Sequence, residues 1–505
     1  MIKKWQWMKL HEMGPSPKKP LGIKENYIAV PKGLKYTPYQ LAGIEFLEYR
    51  NGKGIIADEM GVGKTPQAIG YLNLHRSQFM NILIVCPAFL KINWERELRK
   101  WLVDDGLTLS LHAHKGKIYI IKSKKEPESI KGGIVITSYG MLSKRTEELN
   151  AIKWDAVIID EAHYIKNPEA KRSKALRRIV EKSGSAICLT GTPLLNRPIE
   201  LYNILNLVAG EENSWFRDIE GYITWFCDPE ETPWGIRATG ASNLELLREE
   251  MVGIMIRRTK EEVMTDLPPK IRSTVILSLD EYFSERDAKR ILKEITEKEA
   301  HIKRLIEEAS SSKDNNSLEN TKNNKKYLFS QIEQLRQTVL KAKIPMVVEF
   351  ITHLIEKTSP IVVFGYHKKE VYDLINRLRQ KGISASGFTG RDRESMRIEC
   401  VDALQNNNLD VLVATIGAAK EGLSLTRAKA CVFYELSWVP ADLMQAEDRL
   451  HRRGQKNSVN IYYLLLDNTI DIQMMQKIEE KFEVLREVLN DNNKEDIFRE
   501  VIKVA

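Results

Sequence analysis

Short, β-branched apolar runs recur along the 505-residue chain, and a longer amphipathic stretch follows each of them. In the first half these runs are Ile82–Cys86, Ile134–Thr137, Ala156–Ile159 and Ala186–Leu189. Apolar runs that alternate with helical patterns predict β-α units around a buried parallel sheet. A second series begins at Ile361–Phe364 and continues to Ile461–Leu466. The pattern therefore predicts an α/β protein with two lobes, each a parallel sheet with helices on both faces.

The two series are separated by a charged, helix-forming stretch from about Asp280 to Ala342. Two polar stretches, Ser310–Ser317 and Thr321–Lys326, interrupt it and predict two helices with a mobile polar tip. The end of the chain is again helical in pattern. The predicted organisation is an N-terminal extension over 1–33, a first lobe over 34–275, a helical insertion over 276–345, a second lobe over 346–490 and a helical tail over 491–505.

Composition narrows the class of protein only slightly. The chain has 77 Lys and Arg against 69 Asp and Glu, and this net charge of +8 permits a nucleic-acid partner without requiring one. The five cysteines are dispersed, with no histidine at metal-ligand spacing, which disfavours a zinc site or a disulfide framework. Because no apolar run reaches the ~18 residues of a membrane span and no signal core follows the start, we expect a cytoplasmic protein without a membrane partner.

A glycine-rich loop stands between a short apolar run and a helix-opening sequence, which is the context of a phosphate-binding loop. Bare backbone amides at Gly61 and Gly63 can approach a polyphosphate, Lys64 can reach its terminal oxygens, and the Thr65 hydroxyl can ligate Mg²⁺. The strict pattern fails at its first position, which is Asp58 instead of glycine. Taken alone, the loop is compatible with an ATP site or with an incidental turn.

Two carboxylates, Asp160 and Glu161, follow the apolar run Ala156–Ile159. At the carboxyl edge of a parallel sheet, Asp160 can hold Mg²⁺ and Glu161 can polarise an attacking water. A solvated acidic loop is the alternative for this pair alone. The loop and the carboxylates, in this order and context, together favour a nucleotide hydrolase.

Two arginines of the second lobe, Arg449 and Arg452, are three residues apart and would share one face of a helix. Both could project into a cleft toward a γ-phosphate, where an arginine is worth about 10³–10⁵ in rate. The alternative is a solvated basic face of a helix.

Seven sequence blocks in a fixed order resemble the Swi/Snf-type ATPases of helicase superfamily two. They are Tyr39–Gln40, Asp58–Thr65, Cys86–Trp94, Asp160–His163, Leu189–Pro193, Thr415–Leu425 and Gln445–Gln455. The resemblance implies two RecA-like lobes. Phe226–Asp228 and Gly240–Leu244 are similar to the distant subgroup of annealing and fork-remodelling enzymes. With 33 residues before Leu34, we expect no HARP-type substrate-recognition domain.

The resemblance also implies roles for single residues. Gln40 is expected to contact adenine, Lys64 and Thr65 the phosphates and Mg²⁺, Asp160 the metal, and Glu161 the water, while Arg449 and Arg452 complete the site. The expected nucleotide-binding set further includes Gly61, Gly63, Gly422 and Gln445, and the residues expected to couple ATP state to DNA grip are Gly191, Thr192 and Glu421. The expected contacts to DNA phosphates are Pro87, Lys91, Thr137, Ser138 and Thr415, although Lys91 could equally be a solvated lysine.

These expectations describe a monomeric motor that uses ATP and Mg²⁺, translocates on double-stranded DNA and remodels protein-DNA or branched-DNA structures. One alternative is a strand-separating DNA or RNA helicase. Another is a DNA-binding adaptor switched by ATP, against which the intact set of Lys64, Glu161 and Arg452 counts. The Asn/Lys-rich insertion and the lack of histone-reading appendages predict a prokaryotic or viral host cytosol.

Overall fold

The chain forms two compact units, which divide between Leu267 and Pro268. The structure is a computed structural model that describes residues 18–19, 22, 27–103, 118–121, 133–193, 197–209, 213–232, 235–238, 240–311, 318–419, 423–489 and 500–503. The helix Ile470–Leu489 begins in the second unit, and its residues from Lys481 onward belong to the first.

A parallel sheet forms the centre of the first unit. Its strands are β1 (Lys53–Ile56), β2 (Ile82–Cys86), β3 (Ile118–Ile120), β4 (Ile134–Ser138), β5 (Ala156–Asp160), β6 (Ser185–Leu189) and β9 (Met255–Ile256), and a separate antiparallel hairpin pairs β7 (Glu230–Thr232) with β8 (Gly235–Arg237). The strand order is β3-β4-β2-β5-β6-β1-β9. Strands β2, β4, β5 and β6 are buried along their whole length, as expected for a parallel sheet covered on both faces.

Helices supply the crossovers that a parallel sheet requires. In the first unit they are α1 (Pro38–Tyr49), α2 (Lys64–Leu74), α3 (Lys91–Trp101), α4 (Tyr139–Leu142), α5 (Thr146–Asn150), α6 (Lys171–Val180), α7 (Ile199–Val208), α8 (Ile219–Phe226), α9 (Leu244–Met251) and α10 (Lys260–Val263), with 3₁₀ turns at Ala88–Leu90, Ala162–Ile165 and Ser214–Phe216. Phe46, Leu72, Trp94 and Leu98 pack with the strands in one buried core, which fixes α1, α2 and α3 against the sheet.

The second unit repeats this plan with another parallel sheet. Its strands are β10 (Lys270–Leu277), β11 (Ile361–Gly365), β12 (Ala385–Phe388), β13 (Val411–Thr415), β14 (Ala430–Phe433), β15 (Val459–Leu466) and β16 (Glu500–Lys503), in the order β12-β13-β11-β14-β15-β10-β16. Its helices are α11 (Leu279–Tyr282), α12 (Glu285–Ser311), α13 (Leu318–Lys357), α14 (Lys368–Gln380), α15 (Glu394–Gln405), α16 (Ile416–Ala419), α17 (Pro440–Glu447) and α18 (Ile470–Leu489). The predicted α/β fold with two lobes is confirmed.

The boundary between the units differs from the one predicted at residue 275. Strand β10 pairs with β15 over its whole length, from Lys270 opposite Val459 to Leu277 opposite Leu466. Val275 and Leu277 are buried there, so the strand belongs to the second core. The polar residues at the start of β10 hide this strand in the sequence, because they interrupt the apolar run that marks the other strands.

The helical insertion and the tail also differ from the sequence pattern. Helix α13 contains Thr321–Lys326 and runs through Pro345, so the expected boundary at residue 345 falls inside a continuous helix. The rest of the predicted polar tip, 312–317, lies outside the described residues. In the expected helical tail, Glu500–Lys503 instead form a strand beside Ser273–Ile276.

The five cysteines are all buried thiols: Cys86, Cys188 and Cys227 in the first unit, and Cys400 and Cys431 in the second. Burial raises the pKa of Cys188 and of Cys227 to about 12 and that of Cys431 well above its ordinary value. Over the part of the chain that the structure describes, no helix is both long and apolar enough to cross a membrane.

Candidate functional site

The glycine-rich loop joins the end of β1 to the start of α2 at Lys64. Gly61 and Gly63 have φ angles of 86° and 100°, in the left-handed region that glycine adopts at little cost. A Cβ atom on Gly63 would lie 2.6 Å from Nε2 of Gln40, so the loop passes directly over that buried side chain. No side chain among the described residues caps α2, and its first turn carries no acidic residue. Its first amides are therefore of the kind that can bind an anion.

The Lys64 side chain is folded back onto the loop. Its Nζ donates to the carbonyl oxygens of Asp58 at 2.8 Å and Glu59 at 3.3 Å. Burial lowers the pKa of Lys64, against the opposing effect of the negative charges of Glu161, Asp58 and Asp160. The ammonium is thus a half-buried cation near the carboxylates of Asp160 and Glu161, where a phosphate would be a stronger partner than the carbonyl groups.

Asp160 is the last residue of β5, and two N–H groups hold its carboxylate. Nε1 of Trp94 donates to Oδ2 at 2.7 Å, and the backbone N–H of Glu161 donates to Oδ1 at 3.0 Å. Burial, together with the neighbouring charge of Glu161, raises the pKa of Asp160 to about 6. A bound cation would stabilise a carboxylate whose charged form is disfavoured in this way.

Glu161 has a left-handed backbone with φ of 50°, which is strained for a residue with a side chain. The Tyr139 hydroxyl fixes this turn by donating to the carbonyl oxygens of Asp160 at 2.7 Å and Glu161 at 3.3 Å. Nδ1 of His163 lies 3.3 Å from Oε2 of Glu161. This left-handed turn changes the direction of the chain directly after β5. It leaves Glu161, the second carboxylate, close enough to Lys64 of the loop for their charges to interact.

The loop, the helix start and the carboxylates fit a nucleotide with a divalent cation. The α2 amides and Lys64 offer hydrogen-bond donors and positive charge to phosphate oxygens. Thr65 and Asp160 offer the hard oxygen ligands that Mg²⁺ prefers. The raised pKa of Asp160 is the property expected of a carboxylate whose cation is part of the working site.

The fifth sequence block, Leu189–Pro193, lies next to the loop. A Cβ atom on Gly191 would stand 3.2 Å from Nζ of Lys64 and 2.3 Å from Cγ of Met60, so only a glycine allows this approach. Thr192 is buried, and its N–H donates to the Thr190 hydroxyl at 3.2 Å. The structure thus brings Gly191 and Thr192 together with the phosphate loop.

A buried ion pair that the sequence pattern does not predict anchors the loop. Nε and Nη2 of Arg258 donate to the two carboxylate oxygens of Asp58 at 2.9 and 2.6 Å, and both side chains are 0% exposed. Gln67 joins the pair by donating to Asp58 at 2.8 Å and accepting from Arg258 at 2.9 Å. Asp58, the position that departs from the strict loop pattern, therefore has a structural use. Its only sequence signal is a pair of arginines directly after the short apolar run of β9.

In the second unit, Arg449 and Arg452 lie beyond the end of α17 and not on a helix face as predicted. The amide of Asp448 still bonds to Met444 as in an α-helix, but the amides of Arg449 and Leu450 bond to residues three before them, Ala446 and Glu447, so the backbone tightens after Glu447. This tighter turn carries the two arginines past the helix.

Both arginines contact the segment around the sixth sequence block. Nε of Arg449 donates to the carbonyl oxygen of Ala419 at 2.7 Å, and Nη1 of Arg452 donates to that of Leu423 at 3.5 Å. The expected coupling residue Glu421 and the expected nucleotide-binding residue Gly422 lie outside the described residues. Gln445 is buried on α17.

Glu447 fixes α17 to the strand that opens the second unit. Nε and Nη2 of Arg272 each donate to Glu447 at 2.8 Å, Lys270 donates at 2.9 Å, and the Tyr463 hydroxyl donates at 2.6 Å. Burial alone would raise the pKa of Glu447, but the charges of Arg272 and Lys270 hold this pKa far below its ordinary value. Glu447 is therefore an ionised anchor two residues before Arg449.

The residues expected to contact DNA lie at or just after the carboxyl ends of strands, and most of their side chains are packed inside the protein. Four of them are buried, namely Pro87, Thr137, Ser138 and Thr415. The Ser138 hydroxyl accepts from the N–H of Met141 at 3.4 Å and so begins α4. Nζ of Lys91 donates to the Ile121 carbonyl at 2.9 Å, so it is not simply a solvated lysine, and Pro87 directly follows β2.

The sequence is similar to known families over nearly its whole length. The SNF2-related domain matches residues 39–343, and the helicase conserved C-terminal domain matches residues 342–454. Curated relatives include DNA annealing helicase and endonuclease ZRANB3 of Bos taurus, 32% identical over 468 residues, which cover 90% of this chain and 41% of the relative. Another is the SWI/SNF-related matrix-associated actin-dependent regulator of chromatin subfamily A-like protein 1 of Xenopus tropicalis, 31% identical over 467 residues, with 90% and 45% covered. The chain thus spans less than half the length of these two relatives.

Solved structures similar to this chain include the Sulfolobus solfataricus SWI2/SNF2 ATPase core in complex with dsDNA, at 22% identity, with a TM-score of 0.42 and with 93% of this chain and 95% of that chain covered. The two domain matches follow each other in the order in which the sequence blocks occur. The chain therefore belongs to the SNF2 family of helicase superfamily two.

Proposed function

We propose that this chain is an ATP-hydrolysing motor that translocates on double-stranded DNA and remodels protein-DNA or branched-DNA structures. One observation carries the proposal: the phosphate loop, the carboxylates of Asp160 and Glu161 at the end of β5, and Gly191 converge at the carboxyl edge of one parallel sheet. Open parallel sheets bind their ligands at this edge. Membership of the SNF2 family and the names of the curated relatives, which include annealing helicases, support duplex or branched DNA as the substrate.

In this proposal the first unit holds the nucleotide. The α2 amides beside Gly61 and Gly63 and the Lys64 ammonium bind the phosphates, Gln40 lies toward the base, and Thr65 and Asp160 hold the cation. When bound, Mg²⁺ neutralises charge on the phosphate oxygens. Glu161 orients the attacking water, since its strained turn places it beside Asp160.

The second unit is proposed to supply Arg449, Arg452, Gln445 and Gly422 to the same nucleotide. Positively charged groups placed beside the transferring phosphoryl group account for a large part of the rate of hydrolysis in such enzymes. Gly191, Thr192 and Glu421 are proposed to couple the state of the nucleotide to the grip on DNA.

DNA is proposed to pass over the strand ends at Pro87, Lys91, Thr137, Ser138 and Thr415. Because four of these five residues are buried, we propose that phosphates meet mainly backbone amides and the ammonium of Lys91. Binding would then show little base preference and a strong dependence on salt. The proposed location is the compartment that holds the DNA. The sequence favours a prokaryotic or viral host cytosol. The relatives named above come from animals and include a regulator of chromatin, which favours a nucleus.

Steady-state ATPase activity of the purified chain with blunt duplex, forked DNA, single-stranded DNA or RNA, at two salt concentrations, tests the proposal. We expect stimulation by duplex or forked DNA, without displacement of a strand from a blunt substrate. Preference for RNA, or strand displacement, would replace the motor with a strand-separating helicase, and ATP binding without turnover would replace it with an ATP-switched adaptor.

Three variants assign the chemistry within that assay. Lys64→Ala is expected to lose ATP binding and turnover together, whereas Lys174→Ala, which removes an exposed lysine from the same unit, should behave as wild type. Glu161→Gln is expected to keep ATP and DNA binding while kcat falls at least a hundredfold. Arg452→Ala is expected to lower kcat with ATP affinity unchanged. Normal turnover in any of the three overturns the role given to that residue.

A further inference from the structure

Five cations lie within sixteen residues around the boundary between the units: Arg257, Arg258, Lys260, Lys270 and Arg272. We propose that this segment, the strap Arg257–Arg272, positions one catalytic segment within each unit. Its first part holds the phosphate loop, and its second part holds the turn that carries Arg449 and Arg452. The inference rests on the proposed function, because it assigns to the strap the geometry that hydrolysis requires.

The first part of the strap begins as a backbone ladder. Strand β9 pairs with β1, and the pairing continues beyond both strands, with Ala57 N–H donating to Ile256 at 2.8 Å and Glu59 N–H donating to Arg258 at 2.9 Å. Residues 57–59 form the entry of the phosphate loop. The loop therefore starts from a backbone position that the strap determines.

Side chains of the strap then fix three successive loop residues. Arg257 donates to the carbonyl oxygen of Ala57 at 2.9 Å, and Arg258 binds the Asp58 carboxylate through two nitrogens. The backbone N–H of Lys260 donates to Oε2 of Glu59 at 2.7 Å, and its Nζ lies 3.3 Å from Oε1. The carbonyl groups of Asp58 and Glu59 are also the ones that bind Lys64, so these contacts reach the residue proposed to bind phosphate.

The second part of the strap grips the arginine turn. Lys270 and Arg272 bind the buried carboxylate of Glu447, and Lys270 also lies 3.6 Å from Asp448. The imidazole Nε2 of His451 lies 2.7 Å from the carbonyl oxygen of Pro268. Contacts from the strap therefore fall on both sides of Arg449, at Glu447 and Asp448 before it and at His451 after it.

The chemistry of these contacts suits positioning better than general stability. A buried ion pair adds little net stability over an apolar pair of the same size, but its forked geometry fixes direction. Each of the five cations of the strap contacts a segment proposed to act on nucleotide or the residues next to it. A displacement of about 1 Å in such a segment can cost about a hundredfold in rate.

Lysine variants test the positioning role, because lysine keeps the positive charge of arginine but lacks its forked guanidinium group. Arg258→Lys is expected to raise the Kd for a fluorescent ADP analogue and the KM for ATP about tenfold, with kcat little changed, because it loosens the phosphate loop. Arg272→Lys is expected to lower kcat about tenfold with Kd unchanged, because it loosens the arginine turn.

Matched controls separate positioning from loss of folding. Arg145→Lys and Arg336→Lys change buried arginines that pair with Glu148 and Glu333, away from the two segments. The strap variants should lower Tm by no more than these controls do, and the controls should leave Kd and kcat unchanged. The proposal is overturned if Arg258→Lys and Arg272→Lys change all parameters in proportion to Tm, or show no split between Kd and kcat.

A second pair of variants applies if the lysine variants do not fold. Lys260→Gln and Lys270→Gln should show the same split, Kd for the first and kcat for the second, and a common effect on both parameters overturns the strap. ADP binding and basal turnover are measured without DNA. Failure of the wild type to respond to DNA would therefore reject the motor, while the split in Kd and kcat still decides the strap.

Discussion

Each unit holds its candidate catalytic segment with a buried carboxylate, but the two carboxylates are balanced differently. Asp58 faces one arginine, and both side chains are fully excluded from solvent. Glu447 faces two cations, Lys270 and Arg272, whose side chains are each 10% exposed. A one-to-one pair without solvent has no substitute when one member is lost, whereas a cluster with two cations near water can rearrange. The first unit should therefore be the more fragile at its anchor.

The largest expected effect comes from breaking the fully buried pair. Asp58→Ala leaves the Arg258 guanidinium without its counter-charge and should lower the free energy of unfolding of the first unit by about 3–5 kcal/mol. Urea denaturation, monitored by tryptophan fluorescence, measures this loss of stability. Asp58→Asn, which keeps the shape and an acceptor, is the control and should lose less. A loss below about 1 kcal/mol for Asp58→Ala would show that the pair is dispensable.

The corresponding change in the second unit should cost less. Glu447→Ala should lower the free energy of unfolding by about 2–3 kcal/mol, because Lys270 retains Asp448 and both cations lie near water. The same urea titration measures it. Lys270→Met, which removes one of the two cations, should cost about 1 kcal/mol. A loss for Glu447→Ala equal to that for Asp58→Ala contradicts the proposed difference between the anchors.

A third effect depends on pH and concerns the first unit. Because burial and the charge of Glu161 raise the pKa of Asp160 to about 6, this carboxyl is increasingly protonated below that pH and loses its ability to hold a cation. We expect kcat/KM to fall about tenfold per pH unit below pH 6 at low Mg²⁺. The midpoint should move to lower pH as Mg²⁺ is raised, since the cation competes with the proton. A flat profile from pH 5 to 7 would remove Asp160 from the cation site.

The smallest expected effect concerns the second unit. Burial lowers the pKa of His367, but hydrogen bonds to Glu333 on α13 and to Glu435 after β14 outweigh it and raise this pKa to about 9. A raised folded-state pKa means that the stabilisation is complete below pH 6.5 and is lost as the pH rises through 9. We expect a loss of about 1 kcal/mol over this range after solvent screening.

Thermal unfolding of wild type and His367→Gln at several pH values checks this expectation. The stability of His367→Gln should not depend on pH between 6.5 and 9. An equal pH dependence in both proteins would assign the effect to another group.

The parts of the fold that sequence predicts are those encoded locally. Buried parallel strands are continuous apolar runs, so β2, β5 and β11 stand out, and the phosphate loop is marked by two closely spaced glycines followed by Lys64. The Asp58–Arg258 pair could not be predicted in this way, because its members are 200 residues apart and each resembles an ordinary surface charge. The end of α17 was missed because a 3₁₀-type turn and a helix continuation have the same sequence pattern over three residues.

The buried thiols give the two units separate reporters of opening. Alkylating reagents react with thiolates, which act as the nucleophiles. The five sulfurs are buried away from solvent, and the pKa of Cys188 and of Cys227 is raised to about 12. Each cysteine should therefore stay unmodified until its own unit opens. Pulse alkylation and peptide mass spectrometry of the unmodified chain would then time the exposure of Cys86, Cys188 and Cys227 apart from that of Cys400 and Cys431. The chain thus carries a native label for comparing how its two halves open, with no engineered dye site.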